Sequence, residues 1–467
     1  MNFCPSCGSK LAGASPRFCG QCGSSVPYEE STPTGGAAWS EPTSISLPGH
    51  SFSEPQIAVD ISRNATLVWN AFDGTTSRAM VARFVDGRWT TPRPLSNGRH
   101  RASDVRVAVD YSGITTAVWL EFADKQAGSV QACRYVDGAW TTQRALSAPG
   151  VDAVDPSVII DERGVATVVW RDMSGRGRNG RKLAVQASRF ESGSWTSPVD
   201  ISDASVTSTR QQVAACAGGE VIVMWEQINA ESTSLYATSY KGNKWAKPIL
   251  VSGGDSDSQS RSHALAASPR GDVVAIWREG PDQLARTRGA RFVDGSWAML
   301  DDVPAPDGAW GQSVAVDPLG VITALWRTTI EEHDGVQGED QDEDRVLCLV
   351  QVSRHTDGAW TPPVDLCLCG ERYDQKVAAD SRGRVTAVWE GVQEVDSVVQ
   401  SSRFADGEWS PVVTLSSPIE EATSPQLAID ASDNVLATWD LTSGWTPTGS
   451  GQRVLRVVQV SQLEVGS

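Results

Sequence analysis

Several absences narrow this chain before any motif is considered. No apolar run approaches 18 residues, so no segment is expected to span a bilayer. Positive charge is in deficit: 40 Lys and Arg against 57 Asp and Glu leave a net charge of −17. Nucleic acids and anionic membranes need a basic footprint, so neither is an expected partner. The N-terminus, MNFCPSCGSK, has no apolar core of the secretory kind, and a cytoplasmic location is expected. Only five histidines occur (His50, His100, His263, His333, His355), and they share no spacing that suggests a site. Of nine cysteines, four form two close pairs and the other five are an odd set, which reads as reduced thiols rather than a disulfide framework.

Tryptophan is abundant instead. Eight of them (Trp39, Trp89, Trp140, Trp195, Trp245, Trp297, Trp360, Trp409) open polar segments. Each is followed 29 to 32 residues later by one that ends an apolar run: Trp69, Trp119, Trp170, Trp225, Trp277, Trp326, Trp389, Trp439. The opening set recurs at intervals of 50, 51, 55, 50, 52, 63 and 49 residues. A period near 50 with short strand-like runs and Gly turns predicts an all-β propeller of four-stranded blades.

One unit shows the pattern. Gln56–Asp60 and Ala65–Trp69 are apolar strands, Met80–Phe84 a third, Asp86-Gly87 a tight turn, and Trp89–Leu95 a fourth. Prolines in the fourth segment (Pro92, Pro198, Pro248, Pro362, Pro411) mark it as the outer edge, because proline cannot donate to a ladder. Trp39–Leu47 is a lone fourth strand, while the last unit ends after its third. The N-terminal strand is therefore expected to complete the C-terminal blade, making eight blades in a ring over residues 39–467.

Ahead of it, Cys4-Pro-Ser-Cys7 and Cys19-Gly-Gln-Cys22 are matched knuckles, each preceded by Phe and followed by Gly. Two such pairs complete a tetrahedral site, so one structural Zn²⁺ is expected on Cys4, Cys7, Cys19 and Cys22, within a small module over residues 1–26. This segment resembles the small zinc ribbons at the N-termini of many bacterial proteins. Residues 27–38 contain Pro and Gly and few apolar anchors, as a flexible linker would.

In a propeller the first-to-second and third-to-fourth turns share one face, and here they are uniformly short. The other connections vary, and variable loops on a rigid scaffold carry function. Candidate ligand-binding residues are Arg171, Arg176, Arg178 and Arg181 of a basic blade-3 loop, Glu331 and Asp334 of an acidic blade-6 loop, and Trp310 and Trp445, the two tryptophans outside the grid. Plainer readings apply elsewhere. The grid tryptophans are expected in the interblade core. Asp60, Asp110, Asp161, Asp317, Asp380 and Asp430 are expected to cap turns, against a remote Ca²⁺ ring. The recurrent Arg83, Arg134, Arg189, Arg291, Arg354 and Arg403 suggest structural pairing.

The Trp-rich repeats are similar in flavour to bacterial propeller lectins, tectonin-like proteins and Trp-rich repeats of actinobacterial proteins, a likeness that transfers no binding residue. The function expected is a non-catalytic scaffold that binds a protein or glycan on its loop face, with the zinc ribbon as a docking module. The alternatives are a lectin using Trp-lined clefts and, more remotely, a sialidase-like glycosidase. The Ser-x-Asp-x-Gly-x-Thr-Trp box of sialidases is absent and no tyrosine stands beside an evident Glu, so no enzyme activity is expected.

Overall fold

The computed structural model describes residues 38–463, apart from 47–50, 124–126, 176–181, 230–231, 253–258, 269, 331–346, 370–373, 394–395, 419 and 444–454. Trp39–Glu464 forms one compact unit of eight antiparallel sheets. The first blade runs from the innermost strand Ser51–Val59 through Ala65–Phe72 and Ser77–Val85 to an outer edge of two short pieces, Arg88–Trp89 and Arg93–Pro94. The remaining innermost strands are Arg101–Val109, Ala153–Ile160, Thr207–Ala215, Ser260–Ala267, Trp310–Val316, Gln375–Ala379 and Glu421–Ile429. In the eighth sheet the strand Leu455–Leu463 pairs with Thr43–Ser44, Thr43 standing opposite Val460.

The outer edge differs from the single strand expected. It breaks after the tryptophan in blades 1 to 4, 6 and 7, and since blade 2 breaks with Gln143 in the place of Pro92, proline favours the break without being required for it. A side chain repairs the gap. The hydroxyls of Thr90, Thr141, Thr196, Thr361 and Ser410 accept the backbone N–H of Arg83, Arg134, Arg189, Arg354 and Arg403 at 2.9–3.0 Å.

The eight tryptophans that end apolar runs are all 0% exposed. Each fills a cluster shared with the preceding blade. Trp119 packs on Val68 and Val81 of blade 1, and Trp69 on Leu436 and Val460 of blade 8, so the hydrophobic contacts run round the ring. A buried tryptophan removes on the order of 150–250 Å² from water, roughly 4–6 kcal/mol each. The opening tryptophans are half-buried, and all but Trp39 lean on the aromatic residue of their own third strand, as Trp89 does on Phe84 at 5.4 Å. The recurrent arginines link neighbours. Arg83, Arg134, Arg189 and Arg354 stack over Tyr135, Phe190, Tyr240 and Phe404 of the next blade at 3.7–4.0 Å, a cation–π contact in each case.

Candidate functional site

The innermost strands line a central channel and present a different face at each end. At the short-turn end lies a cavity of about 710 Å³ ringed by Asp60, Asp110, Asp161, Asp317, Asp380 and Asp430. These carboxylates are committed to their own turns. Asp430 Oδ1 accepts the N–H of Ser432 at 2.7 Å and of Asn434 at 3.0 Å, and Oδ2 accepts the Asn434 side chain at 2.9 Å. Asp60 repeats the arrangement with Ser62 and Asn64. Capping, as expected from the sequence, accounts for the ring. Blade 4 has Cys216 instead, whose thiol is pushed up to about 12 by burial. Its turn takes another shape, with Gly218 and Gly219 both at positive φ and the Gly218 N–H donated to Glu162 of blade 3 at 2.7 Å.

At the loop-face end every described innermost strand except the shorter Gln375–Ala379 carries a β-bulge, for example between Ser53 and Gln56. One residue of each bulge is left-handed: Glu54, Asp104, Asp155, Arg210, Ser262 and Ser424 at φ 51–56°, and Gly311 at 66°. For a non-glycine residue this costs about 1 kcal/mol or more, and bulges re-aim side chains at the rims of sheets. In three blades what offsets the cost comes from the preceding blade, from the residue just past its buried tryptophan. Asp440 accepts the Glu54 N–H at 3.0 Å, Glu226 that of Ser262 at 2.7 Å, and Glu390 that of Ser424 at 2.6 Å. Where that position is arginine, the link is made by a guanidinium. Arg327, fully buried, donates to Gln375 Oε1 at 3.2 Å and to the carbonyls of Asp374 and Glu390 at 3.3 and 3.0 Å.

The result is a rim of ionisable groups at the loop-face mouth. Glu54 and Asp155 have half-exposed side chains. Arg106 reaches Glu54 at 3.6 Å across the blade 1–2 junction. Arg171, the one residue of the expected basic set that is described, pairs with Asp155 and donates to Thr209 at 3.1 Å. Arg210, with 59% of its side chain exposed, lies 3.5 Å from Glu226 and 3.4 Å from Ser262 Oγ. Beneath it His263 is buried with neither ring nitrogen hydrogen-bonded, Nδ1 standing 3.7 Å from Glu226. Glu121 of blade 2 is also buried; its Oε1 has no partner, and burial raises its carboxyl above the usual range.

The other expected residues divide plainly. Trp310 is half-buried against the blade 6–7 core with its Nε1 unpartnered, so it offers an edge at most. Arg176, Arg178, Arg181, Glu331, Asp334, Trp445 and the cysteines Cys4, Cys7, Cys19 and Cys22 lie outside the described residues. Arg106, Arg210, Glu226 and His263 were missed because they meet across blades, and no spacing along the chain announces them. Among the described residues no helix is long and apolar enough to cross a membrane.

No protein-family model matches the chain, and no curated protein does. Solved structures resemble it at low identity. A polysaccharide lyase is 11% identical with a TM-score of 0.48 over 75% of this chain and 88% of its own. An α-L-arabinofuranosidase of Fusarium graminearum, in complex with arabinobiose, is 12% identical with a TM-score of 0.38 over 62% and 93%. A sialidase from Streptococcus pneumoniae is 9% identical with a TM-score of 0.39 over 92% and 94%. At such identities the likeness speaks for the fold alone. It still corrects one expectation. These propellers are enzymes, so neither a non-catalytic scaffold nor the absence of enzyme activity follows from the repeats. The reason is physical: a propeller assembles reactive groups from separate blades, and lacking one sialidase box excludes one family rather than catalysis.

Proposed function

We propose that the chain acts on an anionic glycan at the loop-face rim of the channel. The observation that carries this reading is the mixed rim itself. The guanidiniums of Arg106 and Arg210 are open enough to meet a sugar carboxylate or sulfate, the group they bind best. The carboxylates of Glu54 and Asp155 stand on the same rim, within the chemistry needed to move a proton at a glycosidic centre. The test is incubation with a panel of acidic and neutral polysaccharides, following both new reducing ends and the ultraviolet absorbance of unsaturated sugars. Cleavage of an acidic polymer that falls at least tenfold in Arg210→Ala and Asp155→Asn supports the reading. Absence of cleavage across the panel, or cleavage untouched by both variants, overturns it.

Two finer proposals concern the N-terminus. The strand around Thr43 closes the ring, a reading supported by the Ser40 N–H donated to Gln462 O at 2.7 Å and the Gln462 N–H donated back to Ser40 Oγ at 3.0 Å. Removing residues 1–30 then leaves solubility intact, whereas removing 1–48 bares an unpaired edge and causes aggregation; equal behaviour of the two truncations sinks the idea. Cys4, Cys7, Cys19 and Cys22 hold one Zn²⁺ per chain, supported by their paired spacing. Elemental analysis of protein purified without chelator decides it, and metal-free protein rejects it.

A further inference from the structure

Three of the five described cysteines, Cys348, Cys367 and Cys369, belong to blade 6 and share one buried cluster with Val350, Val352 and Trp389. Cys348 lies on the third strand, Leu347–Thr356, and stands directly opposite Cys369 in antiparallel register. Side chains alternate along a strand, so Cys348, Val350 and Val352 share a face. Cys369 packs in the same cluster, on that same face. Directly opposed side chains have Cβ atoms about 4.5–5.5 Å apart, and a disulfide closes at about 3.5–4.5 Å, so a small approach of the two strands suffices.

A second observation is independent of the thiols. The later outer piece is two residues long in blades 1 to 4 and 7, as in Arg93–Pro94 or Val413–Thr414. In blade 6 it runs for six, Val364–Cys369, with a register shift between Val350 and Gln351. This extension is what carries Cys369 opposite Cys348. The pair therefore joins the start of the third strand to the end of the outer strand, where the chain leaves blade 6. Burial raises the Cys369 thiol above its ordinary value and the neighbouring Arg327 guanidinium only partly opposes this, while the same arginine holds the carbonyls of Asp374 and Glu390 of blade 7.

We propose that Cys348 and Cys369 form a reversible thiol pair that closes to a disulfide under a disulfide oxidant, stapling the loop-face end of blade 6. Cys369, beside the guanidinium, attacks a sulfur of oxidised glutathione as its thiolate, and one glutathione leaves. Cys348 then displaces the second glutathione from the mixed disulfide, forming the Cys348–Cys369 bond. Two thiol protons and two electrons pass to the oxidant, which becomes two glutathione thiols. The staple closes a loop that includes both outer pieces of the blade.

The test is peptide mass mapping of the full chain after equilibration with oxidised glutathione, with free thiols alkylated under denaturing conditions before digestion. The expected result is a linked Cys348–Cys369 peptide that dithiothreitol releases, with Cys133 and Cys216 alkylated in full. The oxidised chain should melt several degrees higher than the reduced one, a shift abolished in Cys369→Ser. Should the variant fail to fold, the wild-type map alone decides. A link through Cys367, only glutathione adducts, or blade-6 thiols that remain free overturns the proposal. None of these outcomes touches the rim of blades 1 to 5, so the pair and the proposed activity stand or fall separately.

Discussion

The two ends of the innermost strands solve the same problem in different ways. At the turn end, each backbone N–H left by a tight turn is satisfied by an aspartate two or four residues away, and six blades repeat the device. At the loop end, the left-handed residue of three blades is satisfied from the preceding blade, by Asp440, Glu226 or Glu390, and at two further junctions an arginine makes the link. Local solutions repeat because each blade carries its own. Solutions that reach across blades diverge, since each junction is fitted to two different partners. That divergence is why the proposed activity is sought at the loop end rather than at the turn end.

The comparison is broken most sharply at Arg327. Arg327→Met removes a buried cation together with the hydrogen bonds it donates to Gln375 Oε1 and to the carbonyls of Asp374 and Glu390. A loss of about 3–5 kcal/mol in chemical denaturation is expected. A loss no larger than the roughly 2 kcal/mol expected for a turn-end cap would show that the link between blades is no more costly to break than a local one.

A smaller effect is expected at the turn end. Asp430→Ala deletes three hydrogen bonds inside one turn, costing about 2 kcal/mol. Because the device is local, combining Asp430→Ala with Asp110→Ala in the distant blade 2 should give additive losses. A coupling above about 0.5 kcal/mol between them, read from double-mutant denaturation, would show that the turn ends communicate after all.

The same contrast explains what the sequence revealed. The buried tryptophans and the prolines of the outer edge act within one blade and its immediate neighbour, so their period gave away blade number and strand order. The Asp-Gly turns are equally local: Asp86 and Gly87 both take positive φ, as the pair suggested. The bulges left no such mark. Glu54, Asp104 and Arg210 are ordinary residues whose left-handed backbone follows from pairing with the second strand, and only Gly311 hints at it. His263 was set aside because the five histidines share no spacing, yet Glu226 approaches it from another blade. Residues that meet through tertiary packing need not recur, and the candidate site is made of such residues.

The smallest and most specific effect is expected at Glu121, which tests whether a buried acid on the loop side is tolerated rather than used for stability. It is 5% exposed, with the Gln143 side-chain amide donating to Oε2 at 2.8 Å and Oε1 unpartnered. Burial raises its carboxyl above the ordinary value, and the Gln143 bond and nearby His100 only partly oppose this. The folded state thus holds the proton more tightly than the unfolded chain does. As pH rises from the ordinary glutamate value through the raised folded-state value, the unfolded chain ionises first and stability falls; below that window the penalty is absent. Glu121→Gln keeps the shape and the amide contact while removing the charge. Its melting temperature should therefore match wild type at low pH and exceed it by a few degrees near neutrality. A difference between the two that stays flat with pH, or that shrinks as pH rises, would show that Glu121 is held as a stabilised carboxylate.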